Sequence, residues 1–189
     1  LDDPNSDLDA IGAYQRALAI DPTNAQAWAE LARIQAYSSS FASTDQQRLE
    51  RLQEALVSIE KAVALAPDDS TVFAIYALVL DWNASSNLIT PAQRDDYLVR
   101  AEAASTRAYL LDPENALALA FYAEVLLDQQ KWDQALQYAQ KAVEIAPDSV
   151  DTHRVYATVL EYLGAYRDSI QENIIAAELA PNLTFLYLR

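Results

Sequence analysis

Polar and apolar residues alternate along this chain with the period of an α-helix, in short blocks. Over residues 116–149 (ALALAFYAEVLLDQQKWDQALQYAQKAVEIAPDS) apolar side chains fall at Leu119, Tyr122, Ala123 and Leu126, one stripe at helical spacing. The polar stretch Asp128-Gln129-Gln130-Lys131 interrupts it, and a second stripe follows at Trp132, Ala135, Leu136, Ala139, Ala142 and Val143. Pro147 ends the second helix, because the residue before a proline is pushed out of the α region and the ring cannot continue the ladder. Ser149 then offers a side-chain oxygen to cap the next helix. The pattern predicts two amphipathic helices, a tight connection and a proline stop.

The unit recurs. Pro113, Pro147 and Pro181 stand 34 residues apart, while Pro22, Pro67 and Pro113 stand 45 and 46 apart, so two of the units carry insertions. With each proline placed at position 32 of its unit, position 8 reads Ala32, Ala77, Ala123 and Ala157. Position 20 reads Ala10, Ala55, Ala101, Ala135 and Ser169, and position 27 reads Ala17, Ala62, Ala108, Ala142 and Ala176. Small residues suit places where paired helices cross closely. Position 4 carries Trp28, Phe73, Leu119 and His153, and position 34 carries the N-cap residues Asn24, Asp69, Asn115 and Ser149. A helical period of this length, phased at five positions, resembles the tetratricopeptide repeat family over essentially the whole chain. The resemblance implies an all-α fold, a right-handed superhelical solenoid of antiparallel helix pairs.

In this register residues 1–189 form a single solenoid, whose units are expected to contact only their neighbours. It divides into a partial repeat at 1–24, two repeats with long insertions at 25–69 and 70–115, repeats at 116–149 and 150–183, and the start of another at 184–189. Leu1 to Ser6 is a polar lead expected to fray, and Leu8 to Ile20 reads as a second helix with no first helix before it. Thr44 with Gln47 resembles a capping box, so one helix should run from Asp45 to Leu65, with Arg48 and Arg51 facing outward. Thr90 and Pro91 open another that ends near Leu111. The insertions therefore lengthen two neighbouring second helices at the same end of the stack. Either they enlarge the core or they form a side lobe that docks a partner. Incomplete units at both ends suggest a piece of a longer array, with head-to-tail self-association through the complementary truncated ends.

Composition narrows the function classes. A formal charge of −15, from 28 acidic against 13 basic residues, argues against nucleic acid, whose phosphates would be repelled. With no cysteine and one histidine, neither a disulfide nor a His/Cys metal site can be assembled. The longest apolar run, Val72 to Leu80, is far short of the roughly 18 residues of a membrane span. His153 occupies a large-residue packing position. Asp68-Asp69 and Asp95-Asp96 lack calcium-loop spacing and read as caps at helix starts. Gly12 and Gly164 are isolated, so no phosphate loop exists. Asn83-Ala84-Ser85 and Asn182-Leu183-Thr184 match a glycosylation triplet, a pattern common by chance. No enzyme active site, cofactor or metal is expected within the chain.

What remains is the groove. In the family, repeat positions 2, 5, 9, 12 and 13 line a concave face, and the resemblance places there Arg33, Tyr37, Leu78, Asp81, Trp82, Glu124, Asp128, Arg154, Glu161 and Tyr162. Small residues at Ala29, Ala74 and Ala120 would leave room for a ligand backbone, and Tyr37, Trp82 and Tyr162 supply the residue type favoured at binding hot spots. Carboxylates predominate. The expected role is a protein-interaction scaffold that binds an extended or helical peptide segment with basic and apolar residues. The plainer reading is that these residues only solvate the face or pack against the long connections. The alternatives are a regulatory or substrate-recruiting arm of a larger enzyme and a self-assembly module. The family's carboxylate clamp needs Lys and Asn where this chain has Ala29 and Arg33. The asparagine ladder of O-linked N-acetylglucosamine transferase arrays would fall at Glu30, Ile75, Phe121 and Val155. Neither ligand class carries over.

Overall fold

A computed structural model describes residues 5–180, and side chains from Asp9 onward. These residues form α1 (Asn5–Ile20), α2 (Ala25–Ser38) and a 3₁₀ turn (Ser39–Phe41), then α3 (Asp45–Leu65), α4 (Ser70–Ala84) and α5 (Pro91–Leu111). They continue with α6 (Ala116–Asp128), α7 (Trp132–Ile145), α8 (Val150–Tyr162) and α9 (Tyr166–Leu179). No strand occurs among them. Helices pair in sequence, α2 with α3, α4 with α5, α6 with α7 and α8 with α9, while the first helices α2, α4, α6 and α8 stack in a row. This is an all-α helical repeat solenoid. The lead residues 1–4, Pro181, the triplet at Asn182 and the expected repeat start at 184–189 lie outside the described residues.

The phased small residues sit where the helices meet. Ala32, Ala55, Ala62, Ala77, Ala101, Ala108, Ala123, Ala135, Ala142 and Ala176 have no exposed surface at all. Ala17 differs: it is exposed, because α1 packs on α2 alone. The core is densest in α4 and α6, where Ile75, Leu78, Leu80, Leu119, Phe121 and Val125 are fully enclosed. These helices carry apolar residues almost all round because neighbours cover them on several sides.

Most helix starts are capped as the sequence indicates. The side chains of Asn24, Asp69 and Asn115 accept from the backbone N–H of Ala27, Val72 and Ala118 at 2.9, 3.0 and 3.2 Å. Thr90 and Gln93 form a reciprocal capping box. Thr44 accepts from Gln47 N–H, but the Gln47 side chain reaches back to the N–H of Ser43 instead of Thr44. Ser149 makes no cap; Thr152 Oγ1 instead donates to the Ser149 and Ala146 carbonyls at 2.8 and 3.0 Å. Asp95 and Asp96 lie a turn inside α5 and cap nothing, since Thr90 holds that role. Asp68 pairs with Arg107 at 2.6 Å.

Arg48 and Arg51 do not face outward. Arg51 donates to the Ser38 carbonyl, and Arg48 Nη2 to Ser85 Oγ at 3.4 Å. The reason is local: the lengthened start of α3 lies against the C-terminal ends of α2 and α4, where carbonyls lack helical partners. Asn83, fully buried, donates to the carbonyls of Leu52 and Val79 and accepts from Gln53, which also bonds Tyr97. The α3 extension is thus stitched into the core, and the Asn83 triplet offers no accessible glycosylation acceptor.

The α6–α7 and α8–α9 connections share one geometry. Lys131 N–H bonds the Leu126 carbonyl and Gln130 N–H that of Leu127; Ala165 and Gly164 repeat this with Leu160 and Glu161. Both turns need a left-handed residue, and the chain supplies Gln130 at φ 61° and Gly164 at φ 78°. A side chain in that conformation costs about 1 kcal/mol relative to glycine. Gln130→Gly should therefore raise the unfolding free energy by ~0.5–1 kcal/mol, and Gly164→Ala should lower it by about as much. Urea titration of both variants checks this, and two unchanged midpoints would show that the turns are not strained.

Candidate functional site

The inner face is built from α2, α4, α6 and α8, and the residues expected there fall into three groups. The first group is engaged internally. Arg33 on α2 binds Glu30 Oε2 at 2.7 Å and reaches across to Asp151 Oδ2 at the start of α8, 2.8 Å away. Tyr37 OH donates to the other Asp151 oxygen. Arg154 makes a two-pronged contact with Glu124 at 2.8 and 3.0 Å. Both guanidinium groups lie 5.7 Å from the centre of the Tyr37 ring, which also meets the Trp82 ring at 5.4 Å. Burial and the Asp151 charge push the Tyr37 hydroxyl well above its ordinary pKa. Burial works against the Arg154 charge, but Glu124, Tyr37 and Asp151 outweigh it, so its proton is held more tightly than usual.

The second group reaches no ligand. Leu78 is fully enclosed, and so, nearly, are Ala29, Ala74 and Ala120, contrary to the expectation that these alanines leave room for a ligand backbone. They serve as the contact between stacked first helices, and that close stacking fills the space. Glu161 is exposed but lies apart from the cleft described next. The expectation that units touch only their neighbours also fails, since Arg33 and Asp151 join α2 to α8.

The third group surrounds an open cleft of about 190 Å³ where α4, α6 and α8 end. Asp81 and Trp82 line it from α4, Glu124, Leu127 and Asp128 from α6, and Tyr162 from α8. Three helix C-termini bring their partial negative charge to one place, and none of these helices has a basic residue in its last turn. Asp81 is 4% exposed, and its Oδ1 is enclosed with no hydrogen-bond donor. Burial first, then the charges of Asp128 and Glu124, raise the pKa of Asp81 well above the carboxylate range. Asp128 is raised by burial and Glu124, with Arg94 opposing.

Two further residues complete the picture. His153 packs as the sequence indicates, 4% exposed, with Nε2 donating to the Pro147 carbonyl at 2.8 Å and Nδ1 2.5 Å from Glu172. Arg48 also lines the cleft, held by Ser85 rather than by a carboxylate. Sequence reasoning missed its place there because the helical pattern alone put it on an outer surface. Among the described residues no group of His, Cys, Asp or Glu is arranged to hold a metal ion, and no helix is long and apolar enough to cross a membrane.

Comparison with known proteins agrees with this geometry. A family model described as tetratricopeptide repeat matches residues 13–56, from α1 into α3. A model described as anaphase-promoting complex, cyclosome, subunit 3 matches residues 97–172, from α5 into α9. Residues 13–56 are thus a tetratricopeptide repeat segment by sequence, set in an all-α helical repeat solenoid. The tetratricopeptide repeat protein TTC0263 of Thermus thermophilus superposes with a TM-score of 0.71 at 19% identity, over 95% of this chain and 86% of that one. Human IFIT1, solved as a dimer with m7Gppp-AAAA, gives 0.71 at 19% identity over 96% of this chain and 40% of its own. At that identity the likeness is one of fold. No curated protein sequence matches the chain.

The raised pKa of Asp81 gives a signed prediction. A carboxyl that holds its proton more tightly when folded weakens the fold as pH rises from its unfolded pKa toward its folded one, and costs nothing below the unfolded value. Asp81→Asn removes that penalty. The variant should be more stable than the parent at pH 8, by about 1 kcal/mol or more, with the gap closing toward pH 4. Thermal melts of both proteins across this range measure it; a gap independent of pH would show that Asp81 stays charged at no cost.

Proposed function

We propose that this protein binds a basic, apolar-studded segment of a partner protein, seated at the cleft where α4, α6 and α8 end. Tetratricopeptide repeat folds are, in general, protein-interaction scaffolds, and this chain has that fold. The observation that carries the finer reading is the excess of acid in the cleft, where Asp81, Glu124 and Asp128 stand against one lining cation, Arg48. Asp81 has no partner, Asp128 lies beside it, and no helix ending there brings a basic residue. A chain of formal charge −15 draws basic partners from a distance, and a low-dielectric cleft concentrates that field. Tyr162, 61% exposed, and Trp82 add the broad aromatic surface on which interfaces anchor. Tyr37 backs Trp82, with the guanidiniums of Arg33 and Arg154 over its own ring, and is not itself a contact residue.

An array of synthetic peptides tests this, alternating leucine with lysine or arginine in one set and with glutamate in the other. The purified protein should retain the basic set and lose it as salt is raised through about 0.15 M, where the Debye length is ~8 Å. Asp128→Lys combined with Tyr162→Ala, both surface changes, should weaken binding at least tenfold with an unchanged melting temperature. Equal retention of acidic and basic sets, or full binding by the double variant, would overturn the reading.

A further inference from the structure

Four acidic or basic side chains are buried among the described residues: Asp81, Glu124, His153 and Arg154. Glu124 and Arg154 neutralise each other, and His153 faces Glu172. Asp81 alone has no ion-pair or hydrogen-bond partner, and its Oδ1 is enclosed with no donor in reach. A buried carboxyl left without a partner is costly, and folded proteins usually pair or hydrate such groups. Here the group sits on an open cleft, with Trp82 from the same helix beside it and exposed Asp128 and Tyr162 at the rim. Among the described residues, Arg48 is the cation that lines the cleft, and it does not pair with Asp81. Arg48 on the wall bonds Ser85 and comes within ion-pairing distance of no carboxylate, and Arg94 acts on Asp128 only.

We infer that the floor of this cleft is a subsite for a single alkylammonium group, the side chain of one lysine in the bound segment, received by Asp81 against the face of Trp82. The inference rests on the proposed binding of a basic segment and names the residue type that its deepest position takes. One feature selects ammonium over guanidinium, and two more favour any cation at this position. An ammonium is a compact point charge with three rotatable donors, whereas a guanidinium seeks a flat two-oxygen face; one Asp81 oxygen is sealed off, which leaves no such face. The last turns of α4, α6 and α8 converge on the cleft, so the position is negative without any further carboxylate in contact. The aromatic wall attracts a cation through the negative face of its ring and covers the lysine stem as well. The guanidinium groups of Arg33 and Arg154 are held over Tyr37, which meets the Trp82 ring at 5.4 Å; Arg154 is paired with Glu124 and Arg33 with Glu30 and Asp151, so neither pairs with Asp81.

The test uses n-butylammonium chloride as the probe, with n-butanol as its uncharged match. The indole N–H signals of the three tryptophans are followed by NMR. The Trp82 signal should shift saturably with butylammonium and not with butanol, while those of Trp28 and Trp132 stay in place. Asp81→Asn should weaken the response at least tenfold while its melting temperature at pH 8 stays equal to or above the parent's, an outcome that loss of structure could not give. Arg48→Gln should leave the response intact. No Trp82 shift, an equal shift with butanol, or a full response from Asp81→Asn would overturn the subsite. If the peptide arrays bind and butylammonium does not, the groove reading stands and this subsite falls. If butylammonium binds through Asp81 and no peptide is retained, the subsite stands and its occupant is a free amine.

Discussion

The structure depends on how closely its helices cross. At most crossings the chain places alanine, and from Ala32 to Ala176 those side chains have almost no exposed surface. With small side chains between backbones, the first helices α2, α4, α6 and α8 stack closely, in a row bent far enough for Arg33 on α2 to meet Asp151 on α8. That curvature carries Arg33 to Asp151, 118 positions along the chain, and draws the C-terminal ends of α4, α6 and α8 around one cleft. Larger residues at Ala77 or Ala123 would push the helices apart, and both the cross-groove ion pair and the cleft would go with them.

The inner face carries its charges in two ways. Toward the start of α8 every charge is answered within the chain, and Tyr37 is held by Asp151 and by the two arginines over its ring. Toward the helix ends the carboxyls outnumber their partners and hold protons more tightly than isolated ones would. A closed, self-neutralised region thus borders an open, acidic one. The closed region fixes the frame, which allows the open region to remain unsatisfied at a tolerable cost.

How much of this could be read beforehand follows from the range over which each feature is decided. Helix bounds such as Asp45–Leu65 and Pro91–Leu111, the buried alanines and most caps depend on residues within a turn or one unit, and the sequence shows them. Local competition produced the smaller departures: Thr152 takes the carbonyls near Ser149, and Arg51 turns toward the open end of α2. The site is decided at longer range. Position counting puts Leu78 and Tyr37 in the groove beside Trp82 and Tyr162, but only the accumulated curvature determines that Leu78 is sealed and Tyr37 clamped. Nothing in the sequence distinguishes the unpaired Asp81 from the paired Glu124, since the partner of Glu124 stands 30 residues away on another repeat.

The link between Arg33 and Asp151 changes how the array should come apart. In an open stack each unit melts under the influence of its immediate neighbours, so ends peel away in steps and the middle outlasts them. A tie from α2 to α8 closes the stack into a ring of contacts. Peeling α8 then releases a constraint on α2, at the far end of the row of first helices, and the intervening repeats lose their frame together. The Arg33 ion pair and the Tyr37 hydrogen bond to Asp151 thereby favour fewer and larger opening steps over unit-by-unit peeling.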